Sequence, residues 1–178
     1  MRGRILIAAA AIAAGALGYW TAGQLRPAAA PGHAAGERPV ADTVVPFTLT
    51  DLDGRARSVD EWRGRLIVLN FWATWCAPCR EEIPAFMALQ ETYGGRGLQV
   101  VGIAIDAPEA VRDYRDDLLI DYPILIGDRD AVDLMNRYGN LAGVLPYTVV
   151  IARDGRIVAT KQGAYTHDEL QAIVQPLL

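Results

Sequence analysis

The segment from Leu66 to Met87, which reads LIVLNFWATWCAPCREEIPAFM, constrains the fold of this 178-residue chain more than any other part. It opens with an apolar run that contains β-branched residues, a pattern that predicts a buried strand. After a short turn, Cys79, Ile83 and Phe86 recur at the spacing of one face of a helix. The sequence therefore predicts a strand, a turn and a helix, with Cys76 in the first turn of that helix.

The predicted position of Cys76 favours the reactive form of its side chain. The first backbone N–H groups of a helix have no intrahelical partner, and the helix dipole favours negative charge there. A Cys-X-X-Cys motif at a helix start lowers the pKa of the first thiol, and the thiolate is the nucleophile. Cys79 lies one turn further on and can close a disulfide with Cys76. These two cysteines are the predicted catalytic pair, a redox centre that needs no other cofactor.

The sequence from Asn70 to Arg80, NFWATWCAPCR, resembles the active site of thioredoxin-fold proteins. More narrowly, it resembles the TlpA/ResA-like exported thiol–disulfide oxidoreductases of the redoxin, or AhpC/TSA, superfamily. The resemblance implies an α/β fold over residues 45–178, with a thioredoxin-like mixed central sheet, helices on both faces and an N-terminal β-hairpin extension. Asn70 replaces the buried Asp of classical cytosolic thioredoxins, and Asn at this position is common in the TlpA/ResA-like branch.

The resemblance also implies roles for residues around the cysteines. Trp75 and the exposed backbone of Leu145 would contact the substrate, and Pro146 resembles the cis-proline that faces the Cys-X-X-Cys motif across a groove. These reductases place an acidic side chain in the loop after the next strand, which points to Asp106 for proton transfer. The residues alone support a second interpretation, in which Asp106 only caps a helix in a capping box with Glu109.

Apolar periodicity and turn signals predict the other elements. The predicted strands cover residues 45–50, 55–59, 66–69, 98–105, 122–126, 147–152 and 156–161, and the predicted helices cover 76–93, 106–118, 130–138 and 166–177. Strands alternating with helices and followed by an antiparallel hairpin predict a mixed sheet. Glu81 and Glu82 fall near the start of the first helix, where a favourable interaction with the helix dipole is enough to explain them.

The first residues of the chain have the composition of an export leader. Arginines precede an uncharged apolar run over residues 5–22, which is typical of a signal peptide or an uncleaved signal anchor. For residues 1–26 we favour the anchor, since a helix of this length spans a bilayer, although the alanines at 28–30 offer a cleavage pattern. Residues 27–44, rich in Pro, Ala and Gly, predict a flexible linker. The domain would then lie at the periplasmic face of the inner membrane, or free in the periplasm after cleavage.

The charge distribution bears on the predicted partners. All acidic residues lie at or beyond Glu37, and they outnumber the basic residues of the same part of the chain. This balance is unfavourable for binding to nucleic acid or to an anionic membrane surface. The expected partners are exported proteins that contain disulfides, such as apocytochrome c or a copper chaperone, and a membrane thiol protein that supplies electrons in an oxidising compartment.

Two other functions are known on the same fold. Peroxiredoxins use the pattern Pro-x-x-x-Thr-x-x-Cys, which neither Cys76 nor Cys79 satisfies. A copper-binding chaperone needs a further ligand, and neither His33 nor His167 has a spacing that suggests one. Structural zinc needs four ligands, so the sequence predicts no metal site.

Overall fold

The computed structural model describes residues 40–178. The predicted leader over residues 1–26, the predicted linker up to residue 39, and His33 lie outside the described residues. Within residues 40–178, no helix is both long enough and apolar enough to cross a membrane.

Seven strands and four α-helices follow one another along the described residues. In chain order they are β1 (Thr48–Asp51), β2 (Ala56–Ser58), β3 (Leu66–Trp72), α1 (Ala77–Tyr93), β4 (Leu98–Ile105), α2 (Pro108–Leu118), β5 (Ile124–Gly127), α3 (Arg129–Arg137), β6 (Tyr147–Ile151), β7 (Ile157–Gln162) and α4 (His167–Val174). Short 3-10 helices cover Val59–Trp62, Gly94–Arg96 and Gln175–Leu177. Every predicted strand and helix is present, and only the element ends differ.

The strands form one mixed sheet in the order β2-β1-β5-β4-β3-β6-β7. Strands β3, β4 and β5 are parallel, whereas β6 pairs antiparallel with β3 and β7 pairs antiparallel with β6. Strand β1 pairs antiparallel with both β2 and β5, so the predicted N-terminal hairpin extends the sheet beside β5. Strand β3 therefore lies inside the sheet, and the chain that leaves its C-terminal end leads to the cysteines.

Strand β3 is buried along its whole length because both faces of the sheet are covered. On one face, Val68 and Trp72 pack in a core shared with α1, α2 and α4. On the other face, Leu69 and Phe71 pack in a core shared with α3. A strand covered on both sides reads as an almost continuous apolar run, which is why its sequence predicts it so clearly. The arrangement confirms the thioredoxin-like sheet with helices on both faces.

Residues 40–44, which the sequence assigns to a flexible linker, are bonded to the domain. The N–H of Val44 donates to the carbonyl oxygen of Gly155 at 2.7 Å, and the N–H of Ile157 donates to the carbonyl oxygen of Asp42 at 2.9 Å. The linker prediction does not hold for this segment. The partners in these two hydrogen bonds lie more than a hundred residues away in the sequence, so the local composition of the segment gives no sign of them.

Candidate active site

Cys76 is the N-cap residue of α1, at the end of the turn that follows β3. Its Sγ accepts a hydrogen bond from the backbone N–H of Cys79, with 3.3 Å between sulfur and nitrogen. Pro78 lies in the first turn of the helix, where the missing N–H costs no intrahelical bond. In the reduced form, the same N–H group and the helix dipole would stabilise a negative charge on the Cys76 sulfur.

The two cysteines form a disulfide, with 2.03 Å between the sulfurs and 5.3 Å between the Cα atoms. Cys76 is 6% exposed, whereas Cys79 is fully buried behind it. Of the two cysteines, Cys76 alone has exposed surface from which a sulfur of another protein could approach. This difference in access favours Cys76 as the residue that attacks a substrate and Cys79 as the residue that resolves the mixed disulfide.

Asp106, directly after β4, is bonded to the turn that leads to Cys76. Its Oδ2 accepts hydrogen bonds from the backbone N–H of Thr74, at 3.0 Å, and from the Thr74 hydroxyl, while its Oδ1 accepts from the N–H of Ala107 at 2.8 Å. Burial raises the pKa of Asp106, but the hydrogen bonds from Thr74 and Ala107 outweigh burial and hold the pKa below its usual value. A carboxylate with a lowered pKa is a poor proton acceptor, so this geometry favours a role in bracing the turn.

The predicted capping box at the start of α2 is wrong. The N-cap residue is Ala107, and no side chain caps this helix end. The Asp106 carboxylate accepts its bonds from Ala107 and from the Thr74 turn instead of from the helix that follows. The sequence could not show this, since Thr74 and Asp106 belong to loops that follow two different strands.

A buried polar cluster, formed by Asn70, Glu82 and Thr148, lies on the α1 side of the sheet. None of the three residues is more than 1% exposed. The Nδ2 of Asn70 donates to Glu82 Oε1 at 2.7 Å and to Thr148 Oγ1 at 3.1 Å, and the backbone N–H of Tyr165 donates to Glu82 Oε2 at 2.9 Å. Asn70 and Thr148 are paired residues on β3 and β6, so the sheet register brings them together beneath α1.

Glu82 has the perturbed acidity expected of a group that exchanges protons at neutral pH. Burial raises its pKa to about 7, against the lowering effects of the hydrogen bonds from Tyr165 and Asn70 and of the charge of Lys161. Glu82 follows Cys79 by three residues in α1, and residues at this spacing are neighbours on one helix face. The carboxyl group is therefore placed on the same side of the helix as the buried cysteine.

The interpretation that Glu82 only complements the helix dipole is wrong. The sequence contains a signal for the burial of this residue. At 100° per residue, Glu82 falls within the arc that the buried residues Ile83, Phe86 and Leu89 define, whereas Glu81 falls outside it. Glu82 is buried with that apolar stripe, and Glu81 is exposed. The helical periodicity therefore distinguishes buried Glu82 from exposed Glu81, although the two residues have the same charge and both lie near the start of the helix.

The Leu145–Pro146 peptide bond is cis, as the resemblance to thioredoxin-fold proteins implies. Tyr147, the next residue, begins β6 and pairs with Phe71 near the end of β3. The register therefore puts Pro146 at the same end of the sheet as the turn that carries the disulfide. Within residues 40–178, the backbone N–H and carbonyl groups of Leu145 have no hydrogen-bond partner.

The two tryptophans beside the motif differ in exposure. Trp75, directly before Cys76, is 68% exposed, whereas Trp72 is fully buried in the core. A large exposed apolar ring beside the accessible sulfur suits contact with another protein. Among the described residues, no group of three or more His, Cys, Asp or Glu side chains could hold a metal ion, and His167 stands at the start of α4.

Comparison with known proteins agrees with this geometry. The sequence matches the AhpC/TSA family over residues 40–160, which is more than half of the chain. The chain belongs to the AhpC/TSA family. Among curated relatives, the thiol-disulfide oxidoreductase ResA of Geobacillus thermodenitrificans is 32% identical over 133 residues, 74% of either chain. The ResA protein of Halalkalibacterium halodurans is 30% identical over 139 residues, 76% of this chain and 77% of its own.

Solved structures give the same result for the fold. A thiol:disulfide interchange protein of the thioredoxin family from Chlorobium tepidum superposes with a TM-score of 0.70 at 29% identity, covering 76% of this chain and 94% of its own. A DsbF homologue from Corynebacterium diphtheriae superposes with a TM-score of 0.69 at 25% identity, covering 83% and 96%. This member of the AhpC/TSA family is a thioredoxin-like thiol–disulfide oxidoreductase, as the resemblance of its NFWATWCAPCR segment implies.

Proposed function

We propose that this oxidoreductase is a reductase of disulfide bonds in exported proteins. The observation that carries the proposal is the difference between the two cysteines: Cys76, at a helix N-cap, keeps a small exposed fraction, and Cys79 is fully buried. An accessible sulfur beside a buried one suits attack on a large substrate followed by internal resolution.

The reaction proceeds in two exchanges. The Cys76 thiolate attacks one sulfur of a substrate disulfide, a mixed disulfide forms, and the other substrate sulfur leaves as a thiolate. The Cys79 thiolate then attacks the Cys76 sulfur, the enzyme disulfide forms, and the second substrate sulfur leaves. The electron pair and the two protons that the substrate gains come from the two cysteine thiols.

Glu82 is the proposed acceptor of the Cys79 proton. Its pKa of about 7 leaves part of the population ionised at neutral pH, and it lies on the Cys79 side of α1. Asn70 cannot serve because an amide does not accept a proton as a base. The lowered pKa of Asp106 makes it the weaker candidate of the two carboxylates.

Substrate contact is assigned to Trp75 and to the Leu145–Pro146 segment. Trp75 offers exposed apolar surface beside Cys76. The N–H and carbonyl groups of Leu145, which have no partner within residues 40–178, can pair with an extended stretch of a substrate chain, as an added β-strand does. The substrates proposed are cysteine pairs of exported proteins, such as apocytochrome c or a copper chaperone.

The proposed place of action rests on the predicted leader. Its basic start and apolar run support export and anchoring at the periplasmic face of the inner membrane, or release into the periplasm if the leader is removed. Because that compartment is oxidising, the reduced form needs a membrane thiol protein as its source of electrons.

Reduction of insulin disulfides, with dithiothreitol as the source of electrons, tests the proposal. The wild-type chain should accelerate the reaction, Cys76→Ser should not, and Cys79→Ser should accumulate a mixed disulfide with the substrate. Activity that survives in Cys76→Ser would refute the assignment. A redox titration against glutathione gives the direction of electron flow: a potential well below that of the compartment supports a reductase, and one near the oxidising end of the range contradicts it.

A further inference from the structure

Asn140 is a fully buried asparagine whose side chain is bonded into the loop before Pro146. Its Nδ2 donates to the carbonyl oxygen of Val144 at 2.7 Å, and its Oδ1 accepts from the N–H of Val144 at 3.2 Å. Oδ1 also accepts from Nε2 of Gln162, at the end of β7, at 2.9 Å. One side chain thus satisfies both backbone groups of Val144 and ties the loop to the sheet.

The backbone around Asn140 is fixed as well. The N–H of Asn140 donates to the carbonyl oxygen of Met135 in α3 at 3.1 Å, and the carbonyl oxygen of Asn140 accepts from the N–H of Gly143 at 3.2 Å. Gly143 has a φ of 65°, in the left-handed region that glycine adopts without strain. The loop between α3 and β6 is therefore held from its first turn to Val144.

This arrangement decides which backbone groups remain free. The N–H and carbonyl of Val144 are occupied by Asn140, and the carbonyl of Pro146 accepts from the N–H of Gly163 at 2.9 Å. Between them, the N–H and carbonyl of Leu145 have no partner within residues 40–178. Because hydrogen bonds hold the loop on both sides of Leu145, the loop cannot shift its register by one residue. The N–H and carbonyl groups of Leu145 therefore keep one position.

We propose that Asn140 is a positioning residue for substrate recognition, which holds Val144 so that the backbone of Leu145 is presented to an extended polypeptide segment. This inference rests on the proposed function and narrows its substrate class. The favoured substrate is a disulfide whose neighbouring residues can lie as a strand beside Leu145. A small disulfide without a peptide backbone makes no such contact and reacts through Cys76 alone.

The difference between these two substrates gives the test. The full chain, in its reduced form, is reacted with insulin and, separately, with the small disulfide dithiobis(nitrobenzoate). For Asn140→Ala, we expect kcat/KM with insulin to fall about tenfold, mainly through a higher KM, because a loop that has lost its hydrogen bonds must be ordered on binding. The rate with the small disulfide should stay within about twofold of wild type, since the cysteines are unchanged.

Two further variants sharpen the comparison. Asn140→Asp can still accept from Val144 and Gln162 but cannot donate to the Val144 carbonyl, so it should also lose rate with insulin only. Asn136→Ala makes the same side-chain change in α3 at an amide with no side-chain hydrogen bond among the described residues, and it should match wild type on both substrates. If Asn140→Ala does not fold, Gln162→Ala serves in its place, because Gln162 is exposed at the sheet edge.

The possible outcomes distinguish failure of the inference about Asn140 from failure of the proposed reductase function. An equal loss on both substrates means that Asn140 only supports the fold near the cysteines, which overturns the inference. Unchanged insulin kinetics in folded variants of Asn140 or Gln162 overturns it as well. Failure of the wild-type chain to reduce insulin, with normal reaction of the small disulfide, rejects the proposed function itself.

Discussion

The side-chain amide of Asn70 donates a hydrogen bond to the carboxyl group of Glu82, with 2.7 Å between Nδ2 and Oε1. Both residues are buried, and the bond joins the interior of the sheet to α1 one turn after Cys79. An aspartate at position 70 would put a second carboxylate against Glu82, and two carboxylates so close cannot both ionise easily. The amide therefore leaves Glu82 as the single titrating group of this cluster.

The first prediction concerns the pH dependence of stability. The pKa of Glu82 is raised from 4.5 to about 7 on folding, so the folded chain holds one more proton than the unfolded chain between those pH values. The free energy of unfolding should therefore fall as the pH rises through this window, by roughly 3 kcal/mol. Glu82→Gln cannot titrate, so this part of the pH dependence should vanish in the variant.

Urea unfolding of the disulfide form, measured at several pH values from about 4.5 to about 8, checks the difference in slope. Glu81→Gln is the matched control, because Glu81 is the exposed neighbour on the same helix, and it should keep the wild-type slope. Parallel curves for wild type and Glu82→Gln would contradict the assignment.

The second prediction separates the two tryptophans. Trp75→Ala should change the free energy of unfolding by no more than about 0.5 kcal/mol, since its ring is largely exposed, but it should lower kcat/KM with insulin several-fold. Trp72→Ala should instead cost about 3–5 kcal/mol, because it empties a fully buried site. Denaturant unfolding and insulin reduction measure the two effects. A large loss of stability in Trp75→Ala would count against a contact surface.

The third prediction concerns the brace between Asp106 and Thr74. Asp106→Asn removes the negative charge of the carboxylate that accepts two hydrogen bonds from Thr74. We therefore expect the substitution to destabilise the folded chain by about 1 kcal/mol at neutral pH. Because the pKa of Asp106 is lowered in the folded state, its stabilising effect is present above the usual pKa of 3.8 and is lost as the pH falls through the folded value. The difference between wild type and variant should therefore shrink in acid.

Thermal unfolding at neutral and acidic pH measures that difference. Asp113→Asn, on the exposed side of α2, is the control, and it should not reproduce the effect. A difference that stays constant across the pH range would mean that the lost bond does not depend on the charge of Asp106.

The fourth prediction tests the packing of α3 against the sheet. A Cβ added at Gly127 would clash with the Cβ of Ala131, so the helix must shift to admit it. Gly127→Ala should destabilise the chain by about 1–3 kcal/mol. Gly95→Ala, where an added Cβ meets nothing within 4 Å, should have little effect on denaturant unfolding. Equal free energies of unfolding for the two variants would contradict this prediction, because they would mean that α3 shifts without loss of stability.

The sequence predicts those features that are encoded locally. Strand β3 and helix α1 follow from an apolar run and a helical period, and the Cys76–Cys79 pair follows from its motif. The polar cluster was missed because Asn70, Glu82 and Thr148 belong to three elements and meet only through sheet register and helix packing. Within this cluster, the helical periodicity predicts the burial of Glu82. The hydrogen bond from the Tyr165 backbone to Glu82 depends on tertiary packing and cannot be predicted from the sequence.

The bonding of residues 40–44 to β7 has a practical consequence for shortened forms of the chain. Cutting at Val45, where the predicted domain begins, would put a charged amino group at a buried position, where the Val45 N–H now donates to the Tyr138 hydroxyl at 3.0 Å. It would also remove the hydrogen-bond partners of the Gly155 carbonyl and the Ile157 N–H. Burying an unpaired ammonium group is costly, so an expression fragment should start at residue 40 or earlier.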